Sequence, residues 1–557
     1  MRTTSIIKLS AAVIGTLAAA AAATIFASAV SPKFYADDPV WVQRDTQDAS
    51  TIEPLEVDLF VDLASNILRG TEVMSPPRAG NVNTVDEVPN SSWFTNRLGL
   101  RQLTPEDVAT GPNTTPGPAS GGWTITSSKS DGVTPGFTVK DSSGQRWFLK
   151  FDPPGHRGMA TGTEVVVTKL MWALGYNVPE NHIAYVREEQ LAIGEGAKFT
   201  PSGRNPRPLR RGDIENLLQR ANREHDGSYR VIASKALSGK PIGRVKFIGT
   251  RPDDPNDIVP HQDRRELRAY GIFAAWLNHV DAKAINSLDV LITENGRSYV
   301  RHYLLDFGSA LGSGGVAPAD YWAGSEYLVE PRQVAKQMVG FGFNVPKCRK
   351  MPFYEARSIG RLPLHNEDFD PELWKPRVPN QAFLHARLDD KFWAAQKLVA
   401  LTTDMIRAAV RTGKFDDPAA EDFLVRALAA RRDAIGRTYL PAINPISNPS
   451  LDVDGTLTFA NAAVDNDFAR APRGYRAIWS TFDNTTGATK LVGETSDVVS
   501  ELCAPVGIPR TKGAFIKVDL SAMSSHRSWA EPVSAYFRRG DGEWKLVGFD
   551  RNIGPSF

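Results

Sequence analysis

Short runs of alternating apolar and polar residues begin at Trp123 and are separated by turns that contain glycine. A period of two is typical of strands that bury one face against a core. The pattern predicts three antiparallel strands at Trp123–Thr126, Phe137–Val139 and Trp147–Phe151. The preceding residues, 31–120, have one amphipathic stretch at Leu55–Leu68 and are expected to form an irregular N-terminal extension.

The apolar spacing changes to that of a helix at Glu164–Leu174, and Gly175 marks its expected end. Further strands are predicted at His182–Val186 and Tyr229–Ala233, and the polar stretch 187–227 between them is an insertion of undefined structure. Longer apolar periodicities predict three more helices, at Arg264–His279, Asp389–Thr412 and Pro418–Thr438.

Beyond Pro441 the chain returns to short alternating runs separated by Gly, Asn and Pro turns, which predicts a small all-β module over residues 441–557. The expected strands are Tyr475–Phe482, Lys490–Val492, Ala514–Val518, Val533–Arg538 and Trp544–Phe549.

The composition, 41% hydrophobic and 23% charged, is that of an ordinary globular protein. The 557 residues are too many for one small domain, so about two or three folded units are expected. The 65 basic and 63 acidic residues leave a net charge of +2, and this balance gives no global field that would attract nucleic acid.

Residues 1–30 combine basic Arg2 and Lys8 with a long apolar run and the small residues Ala27-Ser28-Ala29. This order predicts a signal peptide, and the apolar run is also long enough for a single N-terminal membrane anchor. Either reading predicts an exported protein, periplasmic or extracellular, or held at the membrane. In that setting Cys348 and Cys503 could form a disulfide or remain two free thiols.

Polar residues at fixed spacing follow the helix predicted at Arg264–His279. The segment 279–286 fits the pattern H-x-D-x-K-x-x-N, and Asp306-Phe307-Gly308 comes after it. Between the two motifs, Leu288–Ile292 and Tyr299–Leu305 are expected to be the strands of a hairpin.

These motifs resemble the catalytic loop and magnesium-binding turn of protein kinases. Val280 stands where that loop carries arginine, and no A-P-E follows Asp306, so the chain is most similar to atypical kinases such as HipA-like, CotH-like and secretory-pathway kinases. The resemblance implies an α+β, two-lobed protein-kinase-like fold with the N-terminal extension and the small C-terminal all-β module. The N-lobe, with its insertion, would span 121–260 and the C-lobe 261–440.

The same resemblance implies a role for each polar residue of the two motifs. Asp281 would accept the proton of the acceptor hydroxyl or orient that hydroxyl, and Lys283 would neutralise the transferring phosphate. Asn286 and Asp306 would hold Mg²⁺ beside ATP.

The resemblance also implies a nucleotide-binding group upstream of the catalytic loop. Lys150, at a strand end, and Glu164, at a helix start, match the lysine–glutamate pair that clamps the α- and β-phosphates of ATP. Gly132 and Gly136 stand where a glycine-rich loop would cover the nucleotide, although G-x-G-x-x-G is absent and Pro135 removes one backbone donor.

The preferred function is ATP- and Mg²⁺-dependent phosphoryl transfer to an unidentified protein or small-molecule acceptor. Because ATP is scarce outside the cytoplasm, a catalytically inactive kinase-fold scaffold of the cell envelope is an alternative. Adenylyl transfer at the same metal site and an adhesion role for the β-module are further alternatives. The sequence has no G-x-S-x-G, H-E-x-x-H or P-loop motif. Asp253, Asp254 and Asp257 lie in a proline-rich stretch that is expected to be a solvated turn rather than a cation site.

Overall fold

The computed structural model describes residues 31–99, 102–129, 134–201, 205–329, 347–551 and 553. It contains helices and several β-sheets, so the protein is a mixed α and β structure. The expected leader or anchor at 1–30 and Gly132 of the expected glycine loop lie outside the described residues. Among the residues that are described, no helix is long and apolar enough to cross a membrane.

The first sheet has seven strands: β1 (Trp123–Ser128), β2 (Gly136–Lys140), β3 (Arg146–Phe151), β4 (Asn181–Val186), β5 (Leu191–Phe199), β6 (Arg207–Pro208) and β7 (Tyr229–Lys235). They lie in the order β4-β7-β3-β2-β1-β5-β6, and the predicted antiparallel set β1, β2, β3 is confirmed. The stretch 187–227, undefined from sequence, supplies β5 and β6. Strand β5 runs parallel to β1 and extends the sheet.

Nine helices occur in the described part of the chain: α1 (Leu59–Leu68), α2 (Pro105–Thr110), α3 (Met159–Ala173), α4 (Arg211–Leu218), α5 (Arg265–Trp276), α6 (Gln381–Leu384), α7 (Leu388–Val399), α8 (Thr403–Arg411) and α9 (Pro418–Tyr439). The single helix predicted at Asp389–Thr412 is wrong, because two separate helices, α7 and α8, occupy this stretch. Thr402 caps the start of α8 by accepting a hydrogen bond from the Met405 N–H.

Helix α3 begins five residues earlier than the sequence indicated, so Glu164 lies inside the helix rather than at its start. Its first turn is held by the buried carboxylate of Asp152, which accepts hydrogen bonds from the N–H groups of Gly158, Ala160 and Thr161 at 2.8, 3.1 and 2.9 Å. A carboxylate at a helix start satisfies otherwise unpaired N–H groups and favours the helix dipole. This cap comes from outside the helical stretch, so the local pattern does not show it.

The second sheet contains β8 (Lys240–Gly243), β9 (Ser287–Glu294) and β10 (Arg297–Leu304). The predicted hairpin is confirmed: β9 and β10 pair in register around Asn295-Gly296, both of which have positive φ. The hairpin places Asn286 directly before β9 and Asp306 just after β10. The Leu305 N–H donates to the Asn286 carbonyl at 2.9 Å and closes the open end of the hairpin.

A solvated turn at Asp253–Asp257 is wrong for two of its three aspartates, because Asp254 and Asp257 are buried. The Asp257 carboxylate accepts hydrogen bonds from the backbone N–H of Arg251 at 2.6 Å, from the His261 ring at 2.7 Å and from Arg264 at 3.1 Å. These partners compensate the cost of burying the charge, so Asp257 is bonded within the fold rather than solvated.

The C-terminal region is β-rich, as predicted, and a two-stranded hairpin of β11 (Phe353–Tyr354) and β12 (Leu362–Pro363) precedes it. One three-stranded sheet, in the order β13-β14-β17, packs beside a five-stranded antiparallel sheet, in the order β16-β15-β18-β19-β20. The bounds are β13 (Ile446–Leu451), β14 (Thr456–Asn461), β15 (Tyr475–Phe482), β16 (Thr489–Asp497), β17 (Glu501–Cys503), β18 (Phe515–Ala522), β19 (Val533–Arg539) and β20 (Trp544–Arg551). Cys348 and Cys503 are free thiols.

The N-terminal extension is packed against this C-terminal region. Phe34 is 4% exposed and lies among Phe482, Phe515 and Tyr536. Its ring approaches the backbone of β20 so closely that a Cβ at position 548 would lie 2.4 Å from it, and Gly548 therefore permits the contact.

A buried charge cluster joins the extension to the helices. The Arg265 guanidinium is fully buried and pairs with Asp86 at 2.9 Å and with Asp390 of α7 at 3.0 Å. Arg551 of the last strand also faces Asp86, at 3.6 Å. One large apolar core runs from the extension through the helices into the C-terminal sheets.

Candidate active site

A cavity of about 240 Å³ lies between the first sheet, helix α3 and the loop after α5. Five acidic or basic residues predicted from sequence line it, and they come from four different elements: Lys150 of β3, Glu164 of α3, Asp281 and Lys283 of the loop, and Asp306 after β10. The fold thus brings together residues from positions 150 to 306.

Lys150 connects two of the acidic residues. Its Nζ lies 2.7 Å from Asp306 Oδ1 and 3.2 Å from Glu164 Oε2. Burial alone would lower the pKa of Lys150, but the charges of Asp306 and Glu164 outweigh this effect and raise it. For Asp306, burial would raise the pKa, and Lys150 reverses the direction and lowers it. The lysine and the aspartate are therefore both ionised at neutral pH.

Glu164 also fixes the backbone of the Asp306-Phe307-Gly308 turn. Its Oε1 accepts a hydrogen bond from the Phe307 N–H at 3.0 Å, and its Oε2 accepts one from the Gly308 N–H at 2.8 Å. Asp306 itself has φ +58°, in the left-handed region that residues other than glycine rarely adopt. The buried glutamate thus sets the turn that carries Asp306.

On the loop side of the cavity, Asn286 and Lys283 hold the Asp281 carboxylate. The Asn286 Nδ2 donates to the Asp281 backbone carbonyl at 2.7 Å and to Asp281 Oδ2 at 2.9 Å. The Lys283 Nζ lies 2.7 Å from Asp281 Oδ1. Because Oδ2 is hydrogen-bonded to Asn286 and Oδ1 is ion-paired with Lys283, the direction in which this group faces is defined before any substrate binds.

His279 belongs to the core beneath the loop and not to the cavity wall. It is fully buried, and its ring packs 5.5 Å from Phe307 and 6.2 Å from Tyr270. Neither ring nitrogen has a hydrogen-bond partner among the described residues. Burial lowers the pKa of His279 to about 4, so the ring is neutral at pH 7. Its support of the loop is therefore packing rather than charge.

The oxygens that could hold a divalent cation are those of Asp306 and Asn286. The Asn286 amide nitrogen is occupied by Asp281, which leaves Oδ1 as its remaining polar atom. The described residues contain no group of three or more His, Cys, Asp or Glu side chains arranged to bind a metal. One carboxylate and one amide oxygen nevertheless suit Mg²⁺, which takes few protein ligands and completes its shell with water and phosphate oxygens.

Of the two glycines expected to cover a nucleotide, only Gly136 is described, and it is not among the residues that line the cavity. Gly132 is outside the described residues, and Gly136 opens β2, where it pairs with Lys150 in the sheet. A Cβ at Gly136 would lie 2.3 Å from the Leu149 carbonyl, so close strand packing requires glycine there.

Sequence reasoning missed several residues that line the cavity: Lys129, Thr134, Thr161, Ser309, Gly315 and Arg377. Thr134 and Gly315 face each other, and a Cβ at Gly315 would be 3.5 Å from Thr134 Oγ1. Arg377 comes from the segment before α6, for which no motif was recognised. The sequence shows only that this segment lies in the expected C-lobe, 261–440, after the pattern at 279–286.

No protein-family model matches the chain, and no curated protein matches it. Among solved structures, the chain is similar to the Helicobacter pylori proinflammatory kinase CtkA. The TM-score is 0.27 and the sequence identity is 11%, and the alignment covers 54% of this chain and 92% of that chain. At this degree of likeness, the chemistry of the site rests on its own contacts.

Proposed function

We propose that this protein is a kinase-like phosphotransferase that transfers a phosphoryl group from ATP in the presence of Mg²⁺. The observation that carries the proposal is the convergence of Lys150, Glu164, Asp281 and Asp306 on one cavity, with Asn286 bonded to Asp281. Each residue taken alone has an ordinary structural explanation. A lysine–glutamate pair, a loop aspartate and a turn aspartate around one space are together the groups that phosphoryl transfer requires.

The same proposal assigns two lobes to the fold. The seven-stranded sheet with α3 would be the nucleotide-binding lobe, and α5 to α9 with the β9–β10 hairpin would be the lobe that carries Asp281. The cavity lies where these parts meet, which is the position in which a nucleotide could be enclosed from both sides.

Each polar group has a role in this reaction. Lys150, held by Glu164, would bind the α- and β-phosphates through its ammonium. Asp306 and Asn286 would hold Mg²⁺, which when bound neutralises charge on the phosphates. Asp281, fixed by Asn286 and Lys283, would orient the acceptor hydroxyl and take its proton.

The ionisation of the site suits a metal–nucleotide complex. The Lys150–Asp306 ion pair keeps a full negative charge on Asp306 and a full positive charge on Lys150. Lys150 would then be available to hold phosphate oxygens and Asp306 to hold the metal, each with the charge that its role requires. The pair therefore preserves both charges in the absence of ligand.

The test is the thermal midpoint of the protein with and without ATP and Mg²⁺. A ligand that binds only the folded state raises the midpoint, and at 100 times its dissociation constant it adds about 2.7 kcal/mol to the free energy of unfolding. The variants are Lys150→Ala and Asp306→Ala. Lys140→Ala is the matched control, because this exposed lysine lies in the same sheet outside the cavity.

The expected result is a metal-dependent rise in the wild type and in Lys140→Ala that both cavity variants lose. Incubation with labelled ATP and candidate acceptors would then reveal the product. Phosphate on the product supports phosphoryl transfer, whereas AMP on the product indicates adenylyl transfer. An unchanged wild-type midpoint at millimolar ATP and Mg²⁺ would refute the proposal.

A binding scaffold without turnover is the second candidate, because the Lys150–Asp306 contact of 2.7 Å compensates both charges without a metal. In a protein that never binds the metal, this pair would remain as a structural link between β3 and the turn after β10. A midpoint rise with ATP that needs no Mg²⁺ and yields no labelled product would support this candidate.

A further inference from the structure

Arg377 differs from the other cations of the cavity wall in having no carboxylate partner in the described part of the chain. Lys150 pairs with Glu164 and Asp306, and Lys283 pairs with Asp281. The charge of Lys129 acts on Asp306. The positive charge of Arg377 is therefore the one that the described residues of this wall leave uncompensated.

The backbone of Arg377 is fixed beside the loop after α5 that carries Asp281. Its N–H donates to the Val280 carbonyl at 2.8 Å, and its own carbonyl accepts from the Leu328 N–H at 2.7 Å. Three residues further on, Asn380 donates to the Ala282 carbonyl at 3.3 Å. The segment therefore follows the loop on both sides of Asp281, and Arg377 enters the cavity wall from the side on which Asp281 lies.

The guanidinium is also incompletely bonded. Its Nε is shielded from solvent and has no hydrogen-bond partner among the residues the structure describes. A buried donor without an acceptor costs about 1–3 kcal/mol, and more when it carries charge. The adjoining open space is the cavity of about 240 Å³, so an anion bound there could supply both the missing acceptor and the missing charge.

We infer that Arg377 binds the terminal phosphate of a nucleoside triphosphate in this cavity, an assignment that rests on the proposed function. A planar guanidinium matches two phosphate oxygens at once, which an ammonium group cannot do. Lys150 belongs to the sheet side, where the inner phosphates would lie, whereas Arg377 lies beside the loop that carries Asp281. The phosphate nearest to Asp281 is the terminal one, because the acceptor attacks there.

The experiment compares ATP and ADP, because only ATP has the terminal phosphate. Thermal midpoints of the full-length protein are recorded over a titration of each nucleotide with Mg²⁺, and apparent dissociation constants are derived. The variants are Arg377→Met, which removes the charge at similar length, and Arg377→Lys, which keeps the charge without the planar fork. Lys375→Met is the matched control, because Lys375 lies on the same segment outside this cavity.

The expected result is that Arg377→Met weakens ATP binding by about 10–100-fold and leaves the ADP affinity within twofold of the wild type. This is consistent with loss of a charge-assisted hydrogen bond. Arg377→Lys should lie between the wild type and Arg377→Met. Lys375→Met should bind both nucleotides as the wild type does. If Arg377→Met is too unstable to titrate, the ratio of ATP to ADP affinity in Arg377→Lys decides.

Two results would overturn the inference while the proposed function stands. In one, the wild type binds ATP and Mg²⁺ but Arg377→Met loses no ATP affinity. In the other, Arg377→Met weakens the binding of ATP and of ADP equally, which would assign the arginine to the inner phosphates or to general folding. If the wild type binds neither nucleotide, the proposed function fails first, and the assignment of Arg377 fails with it.

Discussion

Replacing Glu164 with glutamine tests how the Asp306-Phe307-Gly308 turn is held. The carboxylate accepts three hydrogen bonds, from the N–H groups of Phe307 and Gly308 and from Lys150. Glutamine has nearly the same shape but only one acceptor oxygen, and its amide group is a donor. If the oxygen keeps the Phe307 N–H, the amide nitrogen faces the Gly308 N–H and the Lys150 ammonium.

The size of the effect follows from these contacts. The Gly308 N–H and the Lys150 ammonium each lose an acceptor, at about 1–3 kcal/mol each, so the turn should be destabilised by about 4 kcal/mol. Lys150 retains Asp306 at 2.7 Å, and this contact limits the loss. Because about 1.4 kcal/mol corresponds to a factor of ten, the Phe307 and Gly308 amides should exchange hydrogen about a thousandfold faster.

Hydrogen exchange followed by mass spectrometry over the peptide around 305–311 measures this local change directly. A global unfolding midpoint would mix the effect with the rest of a 557-residue chain. The control is Glu188→Gln, which removes a partly exposed carboxylate paired with Arg211 at 2.6 Å and should leave the peptide unchanged. A change of less than tenfold in Glu164→Gln would show that Glu164 does not hold the turn.

Three further predictions follow from buried groups outside the cavity. His279→Leu should reduce the loss of stability on acidification: with a pKa of about 4 folded and about 6.5 unfolded, His279 costs the wild type about 1.4 kcal/mol per pH unit between these two values, which denaturant titrations from pH 7 to 4.5 can measure against the variant. Phe34→Ala should cost about 3–5 kcal/mol and speed exchange in β19 and β20, whereas the control Tyr35→Ala removes a half-exposed ring; equal exchange in both would contradict the packing described. Arg265→Met should destabilise by about 3 kcal/mol, since Asp86 and Asp390 lose the buried cation that joins them and keep Arg551 and Arg268, and a urea midpoint equal to that of the wild type would refute the cluster.

The hairpin and the motifs on either side of it could be predicted because the information is local. Alternation along β9 and β10, the Asn295-Gly296 turn and the flanking polar residues are all contained in residues 279–308. The geometry that follows, with Asn286 bonded to Asp281 and the turn residue Asp306 after β10, depends on a few adjacent bonds. Short-range patterns of this kind predict the structure well because the local preferences agree with the tertiary contacts.

The features that sequence did not reveal depend on partners that lie outside the pattern that predicted each element. Helix α3 starts early because Asp152 caps it from outside, and β5 joins the sheet because β1 offers an open edge. Arg377 reaches the cavity through a backbone bond to Val280, which lies almost 100 positions earlier. Asp257 is buried because His261 and Arg264 compensate its charge. None of these contacts leaves a periodic signal near the residue concerned.

The position of Phe34 has a consequence for how the chain is made. Lys33 bonds to Asp550 across 517 positions of sequence, and the Phe34 pocket is formed by β15, β18, β19 and β20. During synthesis Lys33 and Phe34 can therefore reach their partners only after residues 482–550 have been made. Contacts between such distant residues carry a large loop-closure cost and form slowly. The joining of the two ends is thus expected to be a late folding event, and a chain stopped before β18 would leave an apolar N-terminal segment for chaperones to cover.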